Sequence, residues 1–400
     1  MTETLKASQN KTEKVTVLFI ENGMSFGGAM VSLSELLKGS NVPITPVVVS
    51  FAKRSITKPL FENNHFSLLS LFNYKTKAVF NEWAENRFRL SKIPGIKIIS
   101  LLEVVNDLIN ISLVYAIGKW KGAQIVHCNN NISSFCYKVS RLLKVPLVYH
   151  FRGPDDFSNL PRSVKQNAEC YLSVSKHLAD KFSENIGVPR DQFKVLPDPV
   201  IRVGNTRHEK KESNYPILIP ARIVPFKGQL EFIESIASLL KEDKRIKVWL
   251  VGDSADGGNY YLFKLQQLVQ KLNLKDQVVF FGYQQNVSSF YTKAFLVANC
   301  SLGPEGFGRT IIEGFAHGIP AISTNIGGPK EIIMHGRNGF LYEANDKKGL
   351  CSIIRELIDN KSLHSRLSQN AIADSKLYSA ESLGEEMYNI YISLLKKNAN

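Results

Sequence analysis

Short, nearly continuous apolar runs alternate with longer stretches whose apolar residues recur at helical spacing, from Val15 almost to the end of the chain. The runs at 15–20, 45–50, 124–128, 147–151 and 171–174 have the hydrophobic continuity of strands buried on both faces. A periodic stretch over 29–37 and helix-like segments after the later runs complete an alternation that predicts a parallel sheet with crossover helices. After a short run at 194–196 and Asp198-Pro199, the polar and charged residues 205–214 mark the best domain boundary. The pattern then restarts. Residues 216–220, 247–251, 277–281, 296–298 and 320–323 read as strands, and 228–240, 260–271 and 309–317 as helices. Two doubly wound α/β halves with a cleft between them are expected, with ligands at the carboxyl ends of strands. Residues 73–121 are helical in character, an insertion more than a core repeat. Residues 382–396 carry Leu383, Met387, Ile390, Tyr391, Leu394 and Leu395 in one helical stripe.

Composition narrows the class. Hydrophobic content of 44% and charged content of 22% over 400 residues are globular values, enough for two sizeable cores. The tail before Lys14 is polar and lacks the apolar core of a secretory signal, so a cytoplasmic chain is expected. The most membrane-like run, 108–118, is too short to span a bilayer. Five scattered cysteines without a Cys-x-x-Cys pair fit reduced thiols rather than a disulfide frame or a zinc site. The net charge of +14 calls for an anionic partner, and residues 1–200 hold 25 Lys and Arg against 16 Asp and Glu. Lys75, Lys77, Arg87, Arg89, Lys92 and Lys97, interleaved with Phe80, Trp83, Phe88 and Ile93, suit the acidic surface of a membrane. A solvated basic face is the alternative. Nucleic acid is disfavoured, because no zinc-finger, RRM or KH signature occurs.

The chemistry concentrates in Pro304-Glu305-Gly306-Phe307-Gly308-Arg309-Thr310-Ile311-Ile312-Glu313. Gly306 and Gly308 allow close backbone approach to a ligand, while Ile311, Ile312, Phe315 and Ala316 mark a buried helix face. The open N–H groups of that helix's first turn favour an anion. Glu305 ahead of the helix and Glu313 in its second turn can both accept hydrogen bonds from neutral hydroxyls. Together these features suit a sugar carried on a diphosphate.

The segment, with the continuation from Pro320 through Gly327-Gly328-Pro329-Lys330-Glu331 and Asn338-Gly339-Phe340-Leu341, resembles the Glu-x7-Glu signature of retaining GT-B glycosyltransferases of family 4. That group includes sucrose-phosphate synthase and many bacterial polysaccharide and glycolipid enzymes. The resemblance implies an α/β GT-B fold of two Rossmann-like domains facing across a cleft. It implies an acceptor-side domain over 1–204, a nucleotide-sugar domain over 205–378, and a last helix, 379–400, crossing back onto the first. Arg222 and Lys227, in Arg222-Ile223-Val224-Pro225-Phe226-Lys227, match the positions that hold the leaving diphosphate, where preorganised cations stabilise growing negative charge. Tyr283 matches the segment facing the base, with a core role as the alternative. Gly27 and Gly28 match the turn that lets phosphate and acceptor approach, and His150 the histidine contacting the donor sugar. His127, at another strand end, reads as a structural hydrogen-bonder first, and Ser175 as a helix cap first. Two departures stand out: Val251-Gly252-Asp253 lacks a second glycine, and Asp198-Pro199 stands where relatives have Asn-Gly.

No Asp-x-Asp motif occurs, so no metal is expected, nor any cofactor beyond the nucleoside-diphosphate sugar itself. The resemblance thus implies a retaining hexosyltransferase acting on a glycan or lipid-linked acceptor in bacterial polysaccharide or glycolipid synthesis, cytoplasmic or peripheral on the inner membrane face. The alternative from another class is a non-catalytic subunit that binds sugar nucleotides within a polysaccharide assembly complex. An epimerase or phosphorylase on the same fold is a weaker rival.

Overall fold

The computed structural model describes residues 13–21, 27–50, 60–61, 65–67, 98–130, 134–153, 162–201, 214–254 and 259–399. The polar tail before Glu13, Ser25 and Phe26, most of the 205–214 linker, and the basic, aromatic stretch from Lys75 to Lys97 lie outside the described residues.

Thirteen strands occur among the described residues: β1 Val15–Glu21, β2 Ile44–Ser50, β3 His65–Ser67, β4 Ile125–Cys128, β5 Leu147–Phe151, β6 Cys170–Ser173, β7 Phe193–Val195, β8 Tyr215–Pro220, β9 Ile246–Val251, β10 Val278–Gly282, β11 Leu296–Asn299, β12 Ala321–Thr324 and β13 Gly339–Tyr342. They form a seven-stranded sheet in the order β3-β2-β1-β4-β5-β6-β7 and a six-stranded sheet in the order β10-β9-β8-β11-β12-β13. The assigned registers are all parallel, as in Val17 beside Ile125 and Val297 beside Ala321. Both sheets therefore have the doubly wound, Rossmann-like order that the alternating runs predict.

The chain divides into two compact units, one of 1–150, 157–171 and 384–400, the other of 151–156 and 172–383. In the second, Ile217, Ile219, Val248 and Leu250 of the sheet pack with Ile233 and Leu240 of the helix Gln229–Glu242. Local capping sets several boundaries. Ser175 accepts from the Leu178 amide at the start of the helix Lys176–Ile186, and Gly187 ends it in the left-handed region. Asp346 and Asn360 cap the helices Lys347–Asp359 and Lys361–Ser375 in the same manner. In the first unit, Tyr388 donates to the Glu13 carbonyl at 2.6 Å, and the stripe residues Met387, Ile390, Tyr391 and Leu394 are buried.

The motif residue Asn338 is a structural bolt. Fully buried, it donates to Asp374 at 2.9 Å and to the Ile332 carbonyl at 3.2 Å, and it accepts from the Met334 amide at 2.9 Å. Asp374 also receives Arg337 at 2.9 Å, so one cluster ties the strand β13 to the helix Lys361–Ser375. Asn338→Leu would take one of its donors from Asp374 and leave the Met334 amide without its acceptor, at a cost of about 1–3 kcal/mol for the unsatisfied group. We expect its thermal midpoint to fall by several degrees, checked by calorimetry, with the far-UV circular dichroism of the folded protein unchanged at lower temperature.

Candidate active site

Three backbone segments of the second unit bring the predicted residues together. Beyond β8, the 3-10 turn Pro225–Lys227 ends at Gly228, whose φ of 64° lies in the left-handed region. A Cβ there would fall 2.1 Å from the Cys300 carbonyl oxygen, so the turn lies directly on the end of β11. The Cys300 thiol donates to the Lys227 carbonyl at 3.1 Å, and the Leu302 amide to the Phe226 carbonyl at 2.9 Å. Residues 225–228 are thereby fastened to 300–302. From the other side comes the loop after β12. The Gly328 amide donates to the Glu305 carbonyl at 2.9 Å, and a Cβ on Gly328 would lie 2.6 Å from the Gly306 oxygen. Behind, the Ser175 hydroxyl donates to that same Gly306 oxygen at 2.6 Å.

The result is a charged pair: Lys227 Nζ stands 2.5 Å from Glu305 Oε1, with side chains 23% and 12% exposed. Ser301 also donates its hydroxyl to Glu305. Burial is the largest influence on the Glu305 carboxyl and pushes its pKa up, but the Lys227 ammonium and hydrogen bonds from Lys227, Ser301 and Asn299 together outweigh it. The net shift is downward, and Glu305 is held ionised below the usual carboxylate range.

The second glutamate is held differently. The helix Arg309–Ala316 begins at Gly308, and Glu313 receives Arg309 at 2.8 Å on one oxygen and the Tyr291 hydroxyl at 2.7 Å on the other. Tyr291 stacks on His317, which contacts Ser288 at 2.8 Å. Phe307 is buried edge-on to Tyr378, and Thr310 offers its carbonyl to Tyr291 at 3.3 Å. Arg222 is exposed beyond the end of β8 and makes no ion pair among the described residues. Tyr283 is exposed just past β10.

In the first unit, Gly27 caps the helix Gly28–Gly39 from an extended conformation and is exposed, so its carbonyl receives the Met30 and Val31 amides. His150 ends up fully buried, 3.2 Å from His127, whose other nitrogen meets Tyr391 at 2.6 Å.

Sequence reasoning missed several members. Ser301, Asn299 and Tyr291 carry no motif of their own, although strand ends such as that of β11 are where ligating groups collect. Arg152 pairs with Asp198, both buried, which gives the departure at Asp198 a partner. Glu331 receives the Lys176 and His177 amides at 2.8 and 2.7 Å, a carboxylate on a helix N-terminus.

Two parallel Rossmann-like sheets with this arrangement place the protein in the class of GT-B glycosyltransferase folds. Within it, residues 205–374 match the model of glycosyl transferases group 1. The chain is 28% identical over 335 residues to an uncharacterized glycosyltransferase of Methanocaldococcus jannaschii, covering 79% of this chain and 88% of that one. It is 28% identical over 225 residues to the capsular polysaccharide biosynthesis glycosyltransferase CapM of Staphylococcus aureus, 54% of this chain and 55% of that one. The match spans only about a quarter to a half of several other curated relatives. Among solved structures, Anabaena HepE in complex with UDP and glucose superposes with a TM-score of 0.73 at 20% identity, over 94% of this chain and 99% of HepE.

Because Ser301 stabilises the ionised form of Glu305, Ser301→Ala should lower stability at neutral pH by about 1.5–3 kcal/mol, the worth of a hydrogen bond to a charged group. A depressed carboxylate contributes stability that is present above its unfolded pKa and lost as pH falls through the folded one. The stability gap between the two proteins should therefore be full at pH 7 and close in acid below the usual carboxylate range, as urea titrations at stepped pH would show.

Proposed function

We propose that the protein is a metal-independent, retaining hexosyltransferase that moves a sugar from a nucleoside diphosphate, UDP or GDP, to an acceptor hydroxyl. The observation that carries this reading is the Lys227–Glu305 pair set beside the Arg309–Glu313 helix start, at the carboxyl ends of β8 and β11. Arg222 and Lys227 would take the diphosphate, Glu305 the transferred hexose and Glu313 the ribose. Gly306, Gly308, Arg309 and Thr310 would face the donor. The match to glycosyl transferases group 1, the UDP and glucose held by HepE and the part of CapM in capsular polysaccharide biosynthesis support a nucleotide-sugar donor and a polysaccharide product. His150, Gly27 and Gly28 would serve the donor sugar and the acceptor, and Tyr283 the base.

Transfer assayed in excess chelator tests both halves of the proposal. We expect turnover to persist there, since Arg222 and Lys227 take the place of a metal. Lys227→Ala or Arg222→Ala should slow it by about a hundredfold with the fold intact, the worth of one preorganised donor to developing charge. Near-normal rates in Lys227→Ala would overturn the diphosphate assignment, and loss of wild-type transfer in chelator, restored by magnesium, the metal-independent one.

We further propose that the acceptor is presented at an acidic membrane. The helix Ile98–Lys121 exposes Val105, Leu108, Ile109, Leu113 and Trp120 on one face, with Lys119 and Lys121 at its end. An apolar stripe ending in Trp and Lys suits the boundary between headgroups and acyl chains. Binding to vesicles with anionic lipid should fall steeply with salt, given a Debye length of about 8–10 Å. Leu108→Ser, Leu113→Ser and Trp120→Ser together should weaken it without altering donor affinity. Equal affinity for neutral and anionic vesicles at low salt would point to a soluble acceptor instead.

A further inference from the structure

We propose, resting on the reading of Arg222 as a contact of the diphosphate, that Gln229 is a positioning residue that fixes the peptide from which Arg222 extends. Gln229 opens the helix Gln229–Glu242, directly after Gly228 and the turn that carries Lys227. Its side chain is fully buried, and its Nε2 donates to the Arg222 carbonyl at 2.8 Å. One side chain thus closes the span that bears both cations, with Arg222 at its start and Lys227 near its end.

The residues on either side of Arg222 are held by main-chain contacts. Ala221 donates its amide to the Val251 carbonyl at 3.0 Å and Ile223 its own to the Asp253 carbonyl at 2.9 Å, while a Cβ on Gly252 would lie 2.1 Å from the Ala221 oxygen. The carbonyl of Arg222 itself is taken by the Gln229 amide. A carbonyl can only accept, so the amide nitrogen of Gln229 must face it and Oε1 must point elsewhere. That oxygen is buried with no hydrogen-bond partner among the described residues. Leaving a buried acceptor unmade costs at least as much as the bond at Nε2 gains, so net stability does not explain a glutamine in this place. Geometry does. The bond sets the plane of the peptide that leaves the Arg222 Cα, and any tilt there is magnified along the long arginine side chain. A cation acts on a diphosphate only from the right place, and a small displacement is expensive.

The test isolates the second phosphate by calorimetry on the full chain, as the ratio of UDP to UMP affinity, with GDP and GMP as the parallel pair. Arg222→Ala should lower that ratio about tenfold or more, the effect of losing a hydrogen bond to a charged group. We expect Gln229→Met, of similar length and without the donor, to lower it at least about threefold, with UMP affinity within about twofold of native and a thermal midpoint within about 3 °C. Gln229→Asn, which keeps the amide but draws it back by one methylene, should show the same loss. Added to Arg222→Ala, Gln229→Met should change nothing further, because its effect passes through Arg222. A native ratio in both Gln229 variants overturns the proposal. So does an equal loss from Gln229→Met with and without Arg222, and so does a Gln229→Met protein that no longer folds, since the glutamine would then serve stability. If Arg222→Ala leaves the ratio native, the diphosphate reading of Arg222 has failed, and the part given to Gln229 falls with it.

Discussion

A lysine and a glutamate held 2.5 Å apart and mostly out of water set the terms for every loop around them. Each charge loses several kcal/mol of hydration on burial, and removing one partner leaves the other without compensation. Such a pair persists only where the two backbones are fixed against each other. The second unit does this with main-chain contacts: the turn carrying Lys227 lies on the Cys300 carbonyl, and the carbonyl of Glu305 receives the Gly328 amide. Glycine occurs at Gly228 and Gly328 because a side chain at either would separate the segments that the ion pair needs close.

Those glycines also explain how much was legible beforehand. Most strands of both sheets read correctly from apolar runs because parallel strands are buried on both faces and cannot hide their hydrophobicity, but the three-residue β3 is too short to show one. Ends shifted by a residue or two, as in β1, which runs on to Glu21. The strand β13 was recognised only as motif residues, since four residues opening on a glycine give no period to detect. The helices Lys347–Asp359 and Lys361–Ser375 passed unread, the second with its apolar residues too sparse for a clear stripe.

The site divides along the same line. Glu305, Arg309 and Glu313 are visible as charged residues set among glycines in one motif, whereas Lys227 stands out only through the resemblance to the glycosyltransferase signature. Ser301, Asn299 and Tyr291 were not visible, because a hydroxyl or amide that orients another side chain has no sequence spacing of its own; its partner is chosen by the fold. The contact of Tyr391 with His127 is the extreme case. A tyrosine in an apolar helical stripe reads as core, and only the folded chain shows its hydroxyl against an imidazole.

The state of Glu305 bears on how the proposed transfer works. A glycosidase needs one carboxyl whose pKa is raised so that it can give up a proton near neutrality. Here the direction is opposite, because the Lys227 charge and the converging hydrogen bonds outweigh burial and keep Glu305 ionised. An ionised Glu305 accepts from sugar hydroxyls and cannot serve as the acid that protonates a leaving group. Its pairing also fixes the Lys227 ammonium beside Glu305, so under this reading the cation is positioned by the protein itself. As a glycosyl bond to a diphosphate breaks, charge grows on the phosphate oxygens and not on Glu305, so under this reading Lys227 would be attracted increasingly to the leaving group. Under the proposed reading, the ion pair keeps a cation beside a diphosphate whose negative charge increases as the glycosyl bond breaks.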